Sequence, residues 1–243
     1  NLAIASSKLG IYDVNIKTGE RTYNSEYAAM LGYEPTGFEE DAESYFEHIH
    51  PDDRKAWLNA YNDCISGKRE HFRAEFRKRT ADGDWKWISA IGAVVAHDAD
   101  GNPLRFIGTH SDISERKSSE EHLRLLASVF DSSHESIVVT DVNLNIVAVN
   151  KAFAEMTGYS AEESIGQHVR IFKSGHHDHA YYETMWQHIN SLGYWQGELW
   201  VRHKSGDSYP SLTAISSVHA DNGGVTHYVK ISADITQHKE AEQ

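Results

Sequence analysis

The chain repeats itself, and this limits its fold more than any other feature. MLGY at 30–33 is answered by MTGY at 156–159, the turn ADGD at 81–84 by KSGD at 204–207, and FIGTHSDIS at 106–114 by KISADIT at 230–236. The offsets stay nearly constant: Met156 minus Met30 is 126, Gly206 minus Gly83 is 123, and Asp234 minus Asp112 is 122. A chain of 243 residues therefore holds two copies of one module, each large enough to bury its own core. Two copies are too few for a solenoid, whose units lean on several neighbours, so each must fold alone. Between them SERKSSEEHLRLLASVF, at 114–130, reads as one amphipathic helix.

Within each copy the apolar period changes from helical to alternating. In the first, 9–24 reads as a hairpin turning at Lys17-Thr18-Gly19, and Asn24 or Ser25 can cap a short helix after it. A longer helix begins at Pro51, with Asp52 and Asp53 at its positive end and Trp57, Tyr61 and Ile65 at helical spacing. From 70 onward Phe72, Ala74 and Phe76 alternate with charged neighbours, and turns at 81–84 and 98–101 divide three sequential strands. In the second copy Asn150 takes the capping position, Asn143 the hairpin turn, Ser160 and Glu163 a capping box, and Tyr182, Met185, Trp186 and Ile189 one face of the long helix. Pro210 interrupts a strand pattern and is expected at an edge or bulge. Two strands, helices, then three strands predict an α+β domain with helices on one face of a five-stranded antiparallel sheet.

The motifs, in this order and twice over, resemble tandem PAS domains with their C-terminal PAC segments. They are Gly32-Tyr33 and Gly158-Tyr159, HPDDR at 50–54, the glycine turns between the long strands, and the closing Asp-Ile-Ser and Asp-Ile-Thr. The second copy adds Asn150-x-x-Phe153, IFKSGHHD at 171–178 and WQGELWVRHKSGD at 195–207, similar to a subtype in bacterial sensor kinases and cyclic-dinucleotide enzymes. The resemblance implies a first domain over 1–113, a helical linker over 114–134, a second domain over 135–236, and an outgoing helix beginning at 237. It further implies a cytoplasmic sensory region that dimerises through its flanking helices, is linked to an effector and binds a small molecule. The start at Asn1 rather than Met, and the end in a helix-prone run, carry the expectation of a longer protein.

Composition narrows the partners. A net charge of −13 disfavours nucleic acid and anionic membrane faces. No apolar run approaches the roughly 20 residues that cross a bilayer. The lone Cys64 precludes an intrachain disulfide.

Aromatics between sheet and helices are candidate pocket residues: Trp57, Phe72 and Trp87 in the first domain, and Phe153, His168, Trp195, Glu198 and Trp200 in the second. The plainer alternative is that they are core. Related FAD-binding domains carry WxGEixNRRK; Trp195, Gly197 and Glu198 match it, but Val201 replaces the asparagine and His203 the second arginine, so FAD stays open for the second domain and the ligand unassigned. A flavin photo-adduct is excluded, because the only cysteine lies in the other copy. Haem held by His50, His168 or His188 is disfavoured. His176, His177, Asp178, His179 and His188 carry metal-ligand chemistry, but Asp178 as a helix cap leaves the histidines solvated, and no metal is expected. No catalytic signature occurs. For output, Asp112, Ser114, Asp234 and Thr236 can cap the outgoing helices and relay a shift of the sheet to them. Ser118 and Glu121 have capping-box spacing in the central helix.

Overall fold

A computed structural model describes residues 8–36 and 38–241; the outermost positions expected to open the first domain and continue the outgoing helix lie outside these. The chain divides into two compact units, Asn1–His122 and Leu123–Gln243. In the first, β1 (Gly10–Asn15) and β2 (Arg21–Tyr23) lead into α1 (Ser25–Met30), α2 (Ala42–Glu47) and α3 (Pro51–Ile65). Then come β3 (Phe72–Arg79), β4 (Trp85–His97) and β5 (Pro103–Asp112). The sheet order is β2-β1-β5-β4-β3, antiparallel throughout. After α4 (Ser114–Ser132) the second unit repeats the plan with β6 (Ser136–Asp141), β7 (Ile146–Val149), α5 (Lys151–Thr157), α6 (Ala161–Ser164), a 3-10 turn (Val169–Phe172) and α7 (His179–Leu192). β8 (Tyr194–Arg202), β9 (Ser208–His219) and β10 (Val225–Asp234) complete the sheet β7-β6-β10-β9-β8, and α8 (Thr236–Ala241) follows.

One asparagine organises the same junction in each domain. Asn24 accepts from the Tyr27 N–H at 3.1 Å and the Ile11 N–H at 2.7 Å while donating to the Leu9 carbonyl at 2.9 Å. Asn150 repeats this on Phe153 (3.1 Å), Ile137 (2.9 Å) and the Glu135 carbonyl (2.9 Å). Each cap thus fastens the first helix to the opening strand. Ser160 and Glu163 form their reciprocal capping box, and Asp178 caps α7 through the Tyr181 N–H.

Two local expectations are corrected and a third is refined. Ser118 lies inside α4, which starts four residues earlier because Ile113 supplies the first helical carbonyl, to Lys117 N–H at 2.9 Å. Asn143 lies in the β6–β7 turn as expected; its left-handed residue is Leu144 (φ 63°), since Asp141 Oδ1 accepts from the N–H groups of both Asn143 and Asn145 and folds the turn around the residue between them. Pro210 sits on β9, an inner strand between β8 and β10. It is tolerated because the β9–β10 ladder ends there: Ser211 pairs Asp234, and the Pro210 carbonyl still accepts from Ile235 N–H at 3.1 Å.

The two cores differ in kind. The first is aromatic, built on Tyr12, Tyr27, Tyr45, Phe72, Phe76 and Phe106; the second is mainly aliphatic, with Val138, Ile146, Ile189, Leu199, Val201 and Ile215 around Phe153 and Phe172. On α4, Leu123, Leu125, Leu126 and Val129 are exposed.

Candidate ligand pocket and exit helices

In the second domain a cavity of about 290 Å³ opens between the sheet and the helical segments. Val138 and Thr140 of β6, Leu199 and Val201 of β8, Ile215 of β9, and Tyr228 and Lys230 of β10 form its sheet side. His168, Val169, Phe172 and Met185 face them. Two groups inside are unsatisfied. The Thr140 hydroxyl is buried with no hydrogen-bond partner, and among the described residues no hydrogen bond or ion pair reaches the Lys230 ammonium. Burial alone pulls that ammonium down to about 8. Sequence reading passed over Lys230, although strand alternation sets it on the face of Tyr228.

The position matching Lys230 is packed differently in the first domain. Gly108 stands where the second domain has Lys230, and Tyr12 lies in register with it as Val138 lies opposite Lys230. A Cβ on Gly108 would come within 2.3 Å of the Tyr12 hydroxyl, so glycine is required beneath that ring. At the position of Val201 the first domain carries Lys78, as the matching bridges Ile49 to Lys78 and Lys173 to Val201 show. Lys78 is fully buried, but it donates to Glu40 Oε2 at 2.7 Å and the Tyr27 hydroxyl at 3.0 Å. Glu40 also meets His48 Nδ1 at 2.8 Å and accepts from Tyr27 at 3.2 Å. Burial still pulls the Lys78 ammonium down to about 8, against Glu40. Beside these residues a pocket of about 280 Å³ stays open between sheet and helices, lined by Trp57 and Phe72 among others, and there Arg21 Nε and Trp57 Nε1 are buried without a hydrogen-bond partner among the described residues.

The candidate residues divide between the two sheet faces. His168 lines the second cavity, with Nδ1 accepting from Arg170 N–H at 3.1 Å. Trp200 lines it as well, its ring stacked on His176 at 4.3 Å. Phe153 is core, edge-on to Phe172 at 5.4 Å. Trp195 borders a separate shallow groove with Tyr181 and Asp178. Glu198 and Trp87 are not pocket residues: strand alternation turns them outward, Glu198 to Lys239 of α8, and Trp87 beneath Arg77 and Lys117, which lie 5.3 and 5.1 Å from its centroid. The histidines of 176–179 disperse. His177 Nε2 accepts from Trp200 N–H at 3.1 Å, and His179 pairs with Glu183 at 3.3 Å. His188 Nδ1 lies 2.9 Å from the Thr184 carbonyl. Among the described residues no three His, Cys, Asp or Glu converge on a metal position.

Both exit helices start alike. Asp112 Oδ1 accepts from Ser114 N–H at 2.9 Å and Asp234 Oδ1 from Thr236 N–H at 2.8 Å. The Ser114 hydroxyl accepts from Trp87 N–H at 3.1 Å, while that of Thr236 donates to Asp234 at 2.6 Å. One turn on, a lysine of the helix meets a glutamate of the first long strand: Lys117 with Glu75 at 2.7 Å, and Lys239 with Glu198. The helix start is therefore attached to the strands that wall the cavity.

Two small α+β domains, each with a space between sheet and helices and a helix capped at the sheet's last strand, define a sensory-module architecture. Family comparison agrees: residues 20–110 match the "PAS fold" model and 134–237 the "PAS domain" model. The chain belongs to the PAS family, in two tandem copies. It is 23% identical over 248 residues to "Sensor protein FixL" of Bradyrhizobium diazoefficiens, covering 96% of this chain and 47% of that one. To the "Nitrogen fixation regulatory protein" of Klebsiella oxytoca it is 28% identical over 118 residues, 49% of this chain and 24% of that protein. A "Blue-light-activated histidine kinase" of Rhizobium johnstonii is 28% identical over 139 residues, 55% and 40% of the two chains. The chain thus spans less than half the length of these relatives. Among solved structures, a sensory box histidine kinase/response regulator from Burkholderia thailandensis aligns at 30% identity over 53% of this chain and 94% of that one, with a TM-score of 0.47. No helix among the described residues is long and apolar enough to cross a membrane.

Proposed function

We propose that this chain is the cytoplasmic sensory region of a bacterial signalling protein, a histidine kinase or a cyclic-di-GMP enzyme, and that its second domain holds the input ligand. The supporting observation is the cavity of about 290 Å³, with the buried Thr140 hydroxyl and the Lys230 ammonium inside it, neither of them hydrogen-bonded among the described residues. Ligand shifts β8 to β10, and the Asp234 cap with the Glu198–Lys239 pair passes that shift to α8. An exposed ion pair contributes only about 0–1 kcal/mol, weak enough to break and re-form as a switch requires. The first domain, braced by Tyr12 and the Lys78–Glu40 network, relays and helps to dimerise the protein through the exposed stripe of α4. The names of the relatives, a sensor protein and histidine kinases, support the same class.

The residues do not fit the cofactors of related domains. Val201 lines the cavity where a flavin-binding site would present an amide, and an isopropyl group cannot replace its hydrogen bonds to an isoalloxazine edge. A tetrapyrrole exceeds a cavity at the lower end of small-molecule sites. A ligand-free scaffold for dimerisation is the second reading, favoured by the Lys78–Glu40 network that braces the first domain. The experiment is native mass spectrometry with an absorption spectrum of the purified chain, paired with Asp234→Ala in the full-length protein. A bound small molecule, and a variant that folds but no longer responds, are expected; an empty cavity together with normal regulation overturns the proposal.

A further inference from the structure

We infer that the second-domain cavity selects a small monocarboxylate with an apolar body, the carboxylate seated on the Lys230 ammonium beside the Thr140 hydroxyl. This rests on the cavity being a ligand site, as proposed above. A lysine in the middle strand of a sheet, on the side facing the helices, is a costly choice. The fold does not demand it, since the first domain makes the same strand pairing with glycine at that position.

The two domains show what a buried lysine here needs. Lys78 has a carboxylate, a phenol and an aromatic face within reach: Glu40 at 2.7 Å, Tyr27 at 3.0 Å, and the Tyr45 ring centroid at 3.8 Å. Lys230 has none of these among the described residues. Its flanking partners in the ladder, Val138 and Ile215, are apolar. Lys230 is partly buried, and leaving an ammonium without a counterion among apolar walls is unfavourable, so an anion from outside is the missing half of the site.

The walls define the rest of the ligand. Val138, Phe172, Met185, Leu199, Val201 and Ile215 offer only hydrocarbon and thioether. No aspartate or glutamate lines the cavity, whereas His168, Arg170 and Lys173 do. One buried ammonium suits one negative charge, and the volume suits a medium-chain or single aromatic acid rather than a nucleotide.

The test is calorimetric titration of the purified two-domain chain with octanoate and indole-3-acetate, each beside its neutral primary amide. Each acid should bind about tenfold or more tightly than its amide, a ratio set by the charge alone. Lys230→Met should remove that preference while leaving amide affinity within about threefold, with Lys230→Gln as a second variant and circular dichroism to verify folding. Amides that bind as tightly as the acids, or a preference that survives both substitutions, overturn the carboxylate assignment while the cavity remains a ligand site. If neither acids nor amides bind at millimolar concentration, the assignment fails too, and mass spectrometry of co-purified molecules then decides the cavity's role separately.

Discussion

Lys230 of β10 stands directly across the ladder from Val138 of β6, where the first domain sets Gly108 across from Tyr12. This exchange of bulk across a strand pair changes what lines the space between sheet and helices in each domain. In the first domain the large side chain comes from β1, is aromatic and lies over Gly108. In the second it comes from β10, is flexible and charged, and leaves space around its head.

The Lys230 ammonium gives a pH signature. Its folded-state pKa of about 8 lies below the ordinary 10.5. Below pH 8 the group is protonated in both states and its burial penalty is complete. Between about pH 8 and 10.5 the unfolded chain keeps the proton and the folded chain does not, so stability rises with pH. Relative to Lys230→Met, the wild type should gain up to about 3 kcal/mol across that window. The other ionisable groups lining the cavity, His168, Arg170, Lys173, Tyr182 and Tyr228, are common to both variants. Urea unfolding of both from pH 7.5 to 10 checks this; a constant difference would contradict it.

Glu40→Gln leaves Lys78 buried without a counterion and should cost the first domain about 3–5 kcal/mol. Lys78→Met combined with Glu40→Gln should recover most of the loss, because the charge that needed a partner is gone. Denaturant unfolding of the two single variants and the double variant forms the cycle.

Gly108→Ala puts a methyl group where the Tyr12 ring lies and should destabilise the first domain by about 1–3 kcal/mol through overpacking. Adding Tyr12→Val, the residue type the second domain uses opposite, should relieve part of it, the remainder coming from the Ile91 carbonyl 2.7 Å from the new methyl position. Thermal unfolding of the single and paired variants is sufficient.

Glu198→Lys should change global stability by less than about 1 kcal/mol, since the pair with Lys239 is exposed. Its effect should appear in α8, as faster amide exchange over 236–241 measured by hydrogen–deuterium exchange. Charge reversal with Lys239→Glu should restore protection. Unchanged exchange in the single variant would remove the pair from any relay.

Inserting one residue after Arg124 turns the later part of the α4 stripe by about 100°. In a full-length protein with its effector this should disturb signalling while both domains keep their stability; an unaltered response would reduce α4 to a tether.

Much of the fold was legible because it rests on short-range rules. Asn24, Asn150, Ser160 and Asp178 could be recognised as caps from position and type, and the alternation of Phe72, Ala74 and Phe76 marks a strand with one buried face. The same parity carries Lys78 and Lys230 inward, but a charge on a core face reads as an exception until its surroundings are known. Glu198 meets Lys239 of α8 and Trp87 meets Lys117: a place in a motif is a matter of sequence, while the neighbours a side chain meets depend on which strand face the exit helix covers.

The sequence by itself determined two α+β modules of one family, the succession of strands and helices along each and their capped exit helices, since these follow from a repeat, from periodicity and from residues acting on neighbours a few positions away. Only the tertiary structure decided what lines the space in each module. That depends on which side chains meet across distant parts of the chain: Tyr12 over Gly108, Glu40 on Lys78, and Lys230 with no partner among the described residues. Close packing and burial of charge are properties of those encounters, and no local pattern records them.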